Sequence, residues 1–127
     1  FFHGYTYSGH PLAAAAGLAT LDVYENEGLF QRATDLMPYW QDAVHSLKGL
    51  PHVIDIRDLG LVAGIELEPR PGAPGARATE AFHRAFDDGI LVRVTADVIA
   101  LSPPLIISRD QIDELIDRLS SIIKTIS

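Results

Sequence analysis

Two pairs of short strand patterns, each joined by a brief turn, most constrain what this chain can fold into. The first pair covers residues 53–57 and 61–68, and the second covers residues 90–95 and 98–102 around Ala96-Asp97. Helical patterns precede, separate and follow these pairs, so the predicted order is α-α-β-β-α-β-β-α. Strands outside a β-α-β alternation predict an α+β fold, in which helices pack on one face of a small, antiparallel-rich sheet.

The first two helical patterns are separated by Gly28, which breaks the periodicity. Residues 11–27 are rich in alanine and carry leucines around the helix surface, which predicts burial on more than one side. Residues 29–48 place apolar side chains at three- and four-residue spacings on one face. Pro38 lies inside this second pattern and removes a backbone hydrogen bond, so we expect a kink or a restart there.

The third and fourth helical patterns carry clear end signals. Residues 77–88 predict a helix with its alanines, Phe82 and Phe86 facing inward and Gly89 at its C-terminal cap. Ser108 followed three residues later by Gln111 is a capping-box signature for the start of the last helix. That last helix presents a stripe of isoleucine and leucine, which predicts one face against the core.

Composition excludes several classes of function. The net charge is −7 and the ten Lys and Arg residues are scattered, so we expect no nucleic-acid partner. No apolar run reaches the roughly 18 residues of a membrane span. The absence of cysteine fits a reducing compartment, and we expect a cytoplasmic location. The five histidines show no metal-ligand spacing, so no metal site is expected.

A glycine-containing run leads directly into the first helical pattern, from His3 to Pro11. Pro is favoured at the first helical position, so Ser8 or His10 should lie at or just before the cap. Backbone N–H groups and hydroxyls just ahead of a helix start can bind a phosphate or another anion. The residues alone leave a second interpretation open, in which Thr6 makes only a local backbone bond.

Arg93 is the one charged residue in an apolar strand pattern, residues 90–94. It could be an outward-facing residue of a half-exposed strand, with or without an ion-pair partner. It could also bind a carboxylate, because the planar guanidinium offers paired donors that match one. Both interpretations stay open at this point.

Four stretches of the chain resemble a known family: residues 3–13, 58–67, 89–93 and 102–108. They are similar to class III (fold-type I) pyridoxal-phosphate aminotransferases, and His10 favours the branch that uses omega-amino acids and pyruvate. The resemblance covers essentially the whole chain but only the C-terminal portion of a family member. A related enzyme of different substrate, such as GABA or taurine, remains an alternative within the family.

The resemblance implies a division of the chain and a cofactor. Residues 1–24 would end the large-domain region, with the phosphate-binding loop and the start of the connecting helix, and residues 25–127 would form the C-terminal small domain. Thr6 would donate its hydroxyl and backbone N–H to the phosphate of pyridoxal 5'-phosphate across a homodimer interface, with a contribution from Tyr5. Arg93 would pair with the substrate carboxylate and swing away for amines that lack one.

The resemblance also implies that no catalytic residue lies in this chain. Transamination needs a Schiff-base lysine, and the chain has only Lys48 and Lys124, one ending a helix and one on a polar helix face. The catalytic lysine would lie upstream, and a start at Phe1 without Met agrees with a fragment. We therefore expect the parent to move an amino group from an omega-amino acid or amine, similar to β-alanine, to pyruvate, and the fragment alone to be inactive.

A second hypothesis comes from another class of function. The chain could be a free-standing, non-catalytic α+β module that binds a ligand or dimerises, with Arg93 as a ligand clamp. The reading frame upstream of Phe1 discriminates the two, because only the enzyme hypothesis requires a longer frame with its own lysine.

Overall fold

The computed structural model describes residues 4–127, which form four helices and one four-stranded sheet. The helices are α1 (Pro11–Asn26), α2 (Leu29–His45), α3 (Ala76–Asp87) and α4 (Arg109–Ile123). The strands are β1 (Val53–Leu59), β2 (Val62–Leu67), β3 (Arg93–Thr95) and β4 (Val98–Leu101). The predicted order is confirmed; Phe1 and His3, used in the sequence argument, lie outside the described residues.

All four strands pair antiparallel, in the order β1-β2-β4-β3. One row across the sheet joins Ile56, Ile65, Ile99 and Val94, which lie on the face that meets the helices. Side chains alternate between the two faces of a strand, so Arg93 and its row point to the opposite face. The α+β prediction, with helices on one face of an antiparallel sheet, is confirmed.

The core lies between this sheet face and helices α2, α3 and α4. Trp40 and Val44 of α2 and Ile112 and Leu119 of α4 are completely buried there. Each such apolar side chain contributes about 1.5–3 kcal/mol through its removal from water. The apolar stripe predicted for the last helix is therefore confirmed as its core face.

The predicted helix-end signals are formed. The Ser108 hydroxyl accepts from the Gln111 amide at 3.2 Å, and the Gln111 side chain accepts from the Ser108 amide at 2.9 Å. Gly89 adopts φ 82°, and the Ile90 amide donates to the Ala85 carbonyl at 2.7 Å. This bond is the six-to-one hydrogen bond of a Schellman cap at the C-terminus of α3. The cap requires one residue in the left-handed conformation, which glycine adopts without strain.

The predictions for three helices are wrong in part. No residue of α1 is buried, because within residues 4–127 this helix packs mainly on α2 and nothing covers its other sides. Helix α2 does not restart at Pro38 and ends at His45 instead of near residue 48. Phe86 is 63% exposed, because it lies one position around α3 from Ala85, which takes the core-facing place.

Strand β3 is shorter than the predicted run of residues 90–95. The Ile90 amide is committed to the cap of α3, and Pro103, which would stand opposite it, has no N–H to donate. The ladder therefore begins only at Arg93. Thr95 pairs with Val98, so the β3–β4 connection is a two-residue turn.

Candidate functional site

The residues ahead of α1 form a hydrogen-bonded turn. Such a turn agrees with the prediction that this segment can bind a phosphate or another anion. The Ser8 amide donates to the Tyr5 carbonyl at 3.0 Å, and the Tyr5 amide donates to the Ser8 hydroxyl at 3.0 Å. His10 is the N-cap of α1, where its Nδ1 accepts from the Ala13 amide at 3.4 Å, and Pro11 follows at the first helical position. The predicted cap position is confirmed with His10.

Thr6 lies inside this turn with its side chain exposed. Within residues 4–127 its hydroxyl, its backbone N–H and the N–H of Tyr7 make no hydrogen bond. Among residues 4–127, the local backbone bond considered for the Thr6 hydroxyl is therefore not formed. These donors precede in sequence the N-cap of a 16-residue helix, and the start of a helix favours an anion.

The turn does not enclose a ligand with its own residues. Every residue from 4 to 23 is exposed, and the first acidic residue of the chain is Asp22. The turn can therefore offer hydrogen-bond donors without a nearby negative charge. A second surface would be needed to shield a bound anion there from water.

Arg93 is the first residue of β3 and pairs with Ala100, with its exposed side chain on the face opposite the helices. Within residues 4–127 its guanidinium has no hydrogen-bond or ion-pair partner. Arg57 on the same face differs, because it binds Asp55 at 2.8 Å and Glu66 at 2.7 Å. The hydrogen bond that Arg57 donates to Glu66, and after it the one that Arg57 donates to Asp55, raise the pKa of Arg57.

An open cleft of about 790 Å³ lies beside Arg93. Its walls are mostly apolar and include Val62, Phe82 and Leu91, with Ser102 at the end of β4. Among the described residues that line this cleft, Arg93 is the only charged one. A guanidinium with no internal partner at an apolar cleft can take a carboxylate from a ligand in paired hydrogen bonds.

The structure does not join the two candidate regions into one site. The cleft beside Arg93 is lined by residues of the sheet, of α3 and of the segments next to them, and none of residues 4–10 belongs to its lining. Within the part of the chain that the structure describes, no hydrogen bond links the Tyr5–Ser8 turn to β3. Each region offers part of a binding surface.

Sequence reasoning missed one contact near Arg93. Asp97, assigned only to a turn, accepts from the Gly75 amide through Oδ1 at 2.7 Å, across 22 positions of sequence. Its carbonyl also accepts from the Leu67 amide at 2.9 Å. No periodic pattern predicts such a contact, and the only available signal was an aspartate in a hairpin turn, where that residue often accepts from backbone amides.

Neither lysine has the setting of a catalytic amine. Lys48 and Lys124 are both exposed, whereas a Schiff-base lysine acts from a desolvated pocket. In residues 4–127 no group of three His, Cys, Asp or Glu residues is placed to hold a metal ion. None of the described helices is both long enough and apolar enough to cross a membrane.

The family of the chain follows from comparison with known proteins. A family model described as aminotransferase class-III matches residues 2–123. The chain belongs to this family. The resemblance inferred from the sequence is therefore confirmed.

Curated relatives of this aminotransferase segment match it over nearly its full length. An omega-aminotransferase of Caulobacter vibrioides is 62% identical over 122 residues, which cover 96% of this chain and 28% of that protein. A beta-alanine–pyruvate aminotransferase of Pseudomonas aeruginosa is 38% identical over 127 residues, 100% of this chain and 28% of that protein. The chain thus spans little more than a quarter of these relatives.

Solved structures of aminotransferases share the fold. An adenosylmethionine-8-amino-7-oxononanoate aminotransferase from Methanocaldococcus jannaschii matches with a TM-score of 0.89 and 33% identity, over 100% of this chain and 30% of that one. A thermostable omega transaminase mutant from Pseudomonas jessenii matches with a TM-score of 0.87 and 29% identity, over 96% of this chain and 28% of that one. Both agree with the α+β architecture described above.

Proposed function

We propose that this chain is the C-terminal part of an aminotransferase that moves an amino group from an omega-amino acid or amine, similar to β-alanine, to pyruvate. The observation that carries the proposal is the guanidinium of Arg93, which has no partner within residues 4–127 and lies beside an open apolar cleft, in a chain of the class-III family. Pyruvate and omega-amino acids each bring a carboxylate to such a group. The names of two relatives, an omega-aminotransferase and a beta-alanine–pyruvate aminotransferase, support this choice of substrates.

Arg93 serves in this proposal as the group that selects a carboxylate. Its forked donors match the two oxygens, and the apolar cleft strengthens the pair by limiting water around it. Because Arg93 forms no bond within residues 4–127, its side chain can also turn aside without breaking an internal ion pair. One site could then accept both a carboxylate-bearing substrate and an amine that lacks one.

Thr6 and Tyr5 serve as the phosphate-binding residues for pyridoxal 5'-phosphate. The turn fits this group, because within residues 4–127 the hydroxyl and the backbone N–H of Thr6 are donors without partners, and no acidic residue stands near them in sequence. Bound cofactor supplies the electron sink that lets the amino group leave one substrate and join another. The exposure of residues 4–23 supports a phosphate shared with a second subunit, in a homodimer that encloses it.

The division of the chain at residues 1–24 and 25–127 belongs to the same proposal. Helix α1 buries none of its residues, whereas α2 to α4 bury one face each. Gly28, with φ 60°, separates α1 from α2 just after the start of the second part. In the parent enzyme the large-domain region or the partner subunit would cover the exposed leucines of α1. We place the enzyme in the cytoplasm, in keeping with its lack of cysteine.

The chain alone should not catalyse the reaction. Both of its lysines are exposed. The family resemblance implies that the lysine that links the cofactor lies in the parent upstream of this segment. Within this chain the residues bind and orient the phosphate and the carboxylate, and no residue is positioned to move the proton.

A parallel titration of the 127-residue chain and the full-length parent with pyridoxal 5'-phosphate tests the proposal. The parent should gain the visible absorbance of bound cofactor and form alanine from pyruvate and β-alanine, whereas the chain alone should do neither. A parent that binds the cofactor but transfers no amino group to pyruvate would overturn the choice of acceptor. Tight cofactor binding by the chain itself, or a start codon close to Phe1, would favour the free-standing module.

A further inference from the structure

The hairpin that carries Arg93 is weakly supported along its edge. Strand β3 has three residues and lies at the end of the sheet, where it pairs only with β4. Residues 90–92 before it are outside the ladder. The position of Arg93 therefore depends on the two-residue turn that joins β3 to β4, more than it would in a central strand.

That turn contains a strained residue. Ala96 adopts φ 49°, in the left-handed region that residues with a side chain rarely occupy. The first place of a two-residue hairpin turn with positive φ there is normally taken by glycine. Strain of this kind persists only where surrounding contacts hold the backbone in place.

Asp97 supplies those contacts. Its carboxylate accepts from the Gly75 amide at 2.7 Å, at the N-terminal end of α3, and its carbonyl accepts from the Leu67 amide at 2.9 Å. The carboxylate bond is charge-assisted and lies at the positive end of a helix, so it is stronger than a bond between neutral groups. Helix α3 itself packs against β3 and β4.

We propose that Asp97 is a positioning residue for carboxylate recognition, because its bond to Gly75 fixes the hairpin that sets where the Arg93 guanidinium lies beside the cleft. The inference rests on the proposed function of Arg93. Asp97 lines neither the cleft beside Arg93 nor the turn at Thr6, so it acts through Arg93 and does not touch the substrate.

Amide hydrogen exchange on the 127-residue chain tests the structural half of this proposal. In Asp97→Ala, the amides of Gly75 and of the β3–β4 ladder should exchange about tenfold faster, since the lost bond changes a local opening equilibrium. The amides of α4 should be unaffected. Asp97→Asn keeps an acceptor oxygen and should stay within about threefold of the parent chain. Unchanged exchange in Asp97→Ala would overturn the proposal.

Acceptor selectivity of the full-length enzyme tests the functional half. The readout is kcat/KM for pyruvate divided by kcat/KM for propanal, which has no carboxylate. Asp97→Ala should lower this ratio about tenfold through the KM for pyruvate, and Asp97→Asn should restore most of it. Asp117→Ala is the matched control, because that exposed carboxylate on α4 has no side-chain partner within residues 4–127. An equal loss with both acceptors would show a merely structural role and overturn the proposal.

The Arg93→Ala variant separates this inference from the function on which it rests. If Asp97 acts through Arg93, then adding Asp97→Ala to Arg93→Ala should lower the ratio no further. A selective loss in Arg93→Ala without one in Asp97→Ala refutes the positioning role alone. No selective loss in Arg93→Ala refutes the function proposed for Arg93. Should Asp97→Ala fail to fold, the same measurements on Asp97→Ala combined with Ala96→Gly apply, because glycine removes the strain of the turn.

Discussion

Helix α1 and the core helices α2 to α4 bury their side chains to opposite extents, although all are apolar in part. Residues 29–126 close a core in which Trp40 and Ile65 are completely buried, whereas Leu18 of α1 is 66% exposed. An alanine- and leucine-rich helix predicts that something will cover it, but it does not say whether the cover comes from the same chain. The difference teaches that the described residues leave α1 and its turn uncovered, and we call residues 4–26 the unfinished surface. We call residues 29–126 the complete part, because they enclose a core of their own.

The largest effect that would test this contrast is on stability. Ile65→Ala should lower the free energy of unfolding of the chain by about 2–5 kcal/mol, because it leaves a cavity in a closed core. Leu18→Ala should cost less than about 0.5 kcal/mol in the same chain, because its side chain is already in water. Urea unfolding measures both. In the full-length enzyme Leu18→Ala should cost more, and equal losses in the isolated chain would contradict the contrast.

The next effect concerns Arg93, which lies on the sheet and whose guanidinium has no hydrogen-bond or ion-pair partner within residues 4–127. In the full-length enzyme Arg93→Ala should lower kcat/KM for pyruvate about 10–100-fold, since a charged hydrogen-bonded pair is lost. Most of this change should appear as a higher KM for pyruvate, with little effect on a simple amine. Arg57→Ala removes an arginine from the same face that is already paired, and is the control. Equal effects of Arg93→Ala on both substrates would count against carboxylate binding.

A smaller effect is expected at the unfinished surface. Thr6→Ala should raise the Kd of the full-length enzyme for pyridoxal 5'-phosphate about tenfold, because one donor is lost while the backbone N–H remains. Equilibrium dialysis or cofactor absorbance measures this. Thr20→Ala is the control, since the Thr20 hydroxyl is occupied by the Ala16 carbonyl at 2.8 Å. An unchanged Kd in Thr6→Ala would remove the phosphate assignment.

The smallest effect concerns the pH dependence of the complete part. The hydrogen bond from Arg70 first, and then the charge of Arg84, lower the pKa of Glu80 below 4.5. The folded state thus favours the charged carboxylate, so this stabilisation is present above that pH and is lost as the pH falls through the folded pKa. Glu80→Gln should be less stable than the parent chain by about 1 kcal/mol near neutral pH, and this difference should shrink as the pH falls through the folded pKa of Glu80. A difference that persists in acid would contradict this explanation.

The sequence predicted most of the complete part because its signals are local. The capping box at Ser108 and Gln111 and the glycine cap at Gly89 each depend on residues within a few positions of one another. The strand predicted over residues 61–68 forms as β2, and its alternate residues Ala63, Ile65 and Leu67 are buried. Such patterns need no knowledge of the rest of the fold.

The sequence predicted less where partners are remote or absent. Strand β3 is shorter than predicted because the Ile90 amide donates to the cap of α3 and cannot join the sheet. The exposure of α1 depends on surfaces that this chain does not supply. For the candidate site, the turn at Thr6 and the outward side chain of Arg93 agree with the sequence interpretation, but their roles came from family resemblance and stay predictions. The anchor from Asp97 to Gly75 was missed, since it spans two elements.

Two arginines hold the complete part together through backbone carbonyls. Arg77, which is buried, donates to the carbonyl of Glu68, and Arg32 donates to the carbonyls of Leu105 and Ile107. A carbonyl is present whichever side chain a position carries, so the three acceptor positions can change identity during evolution without losing these bonds. A lysine could not replace either arginine, because it lacks the planar guanidinium with its paired donors. Covariation between pairs of positions would therefore not reveal these arginine–carbonyl contacts, although each arginine is itself hard to replace.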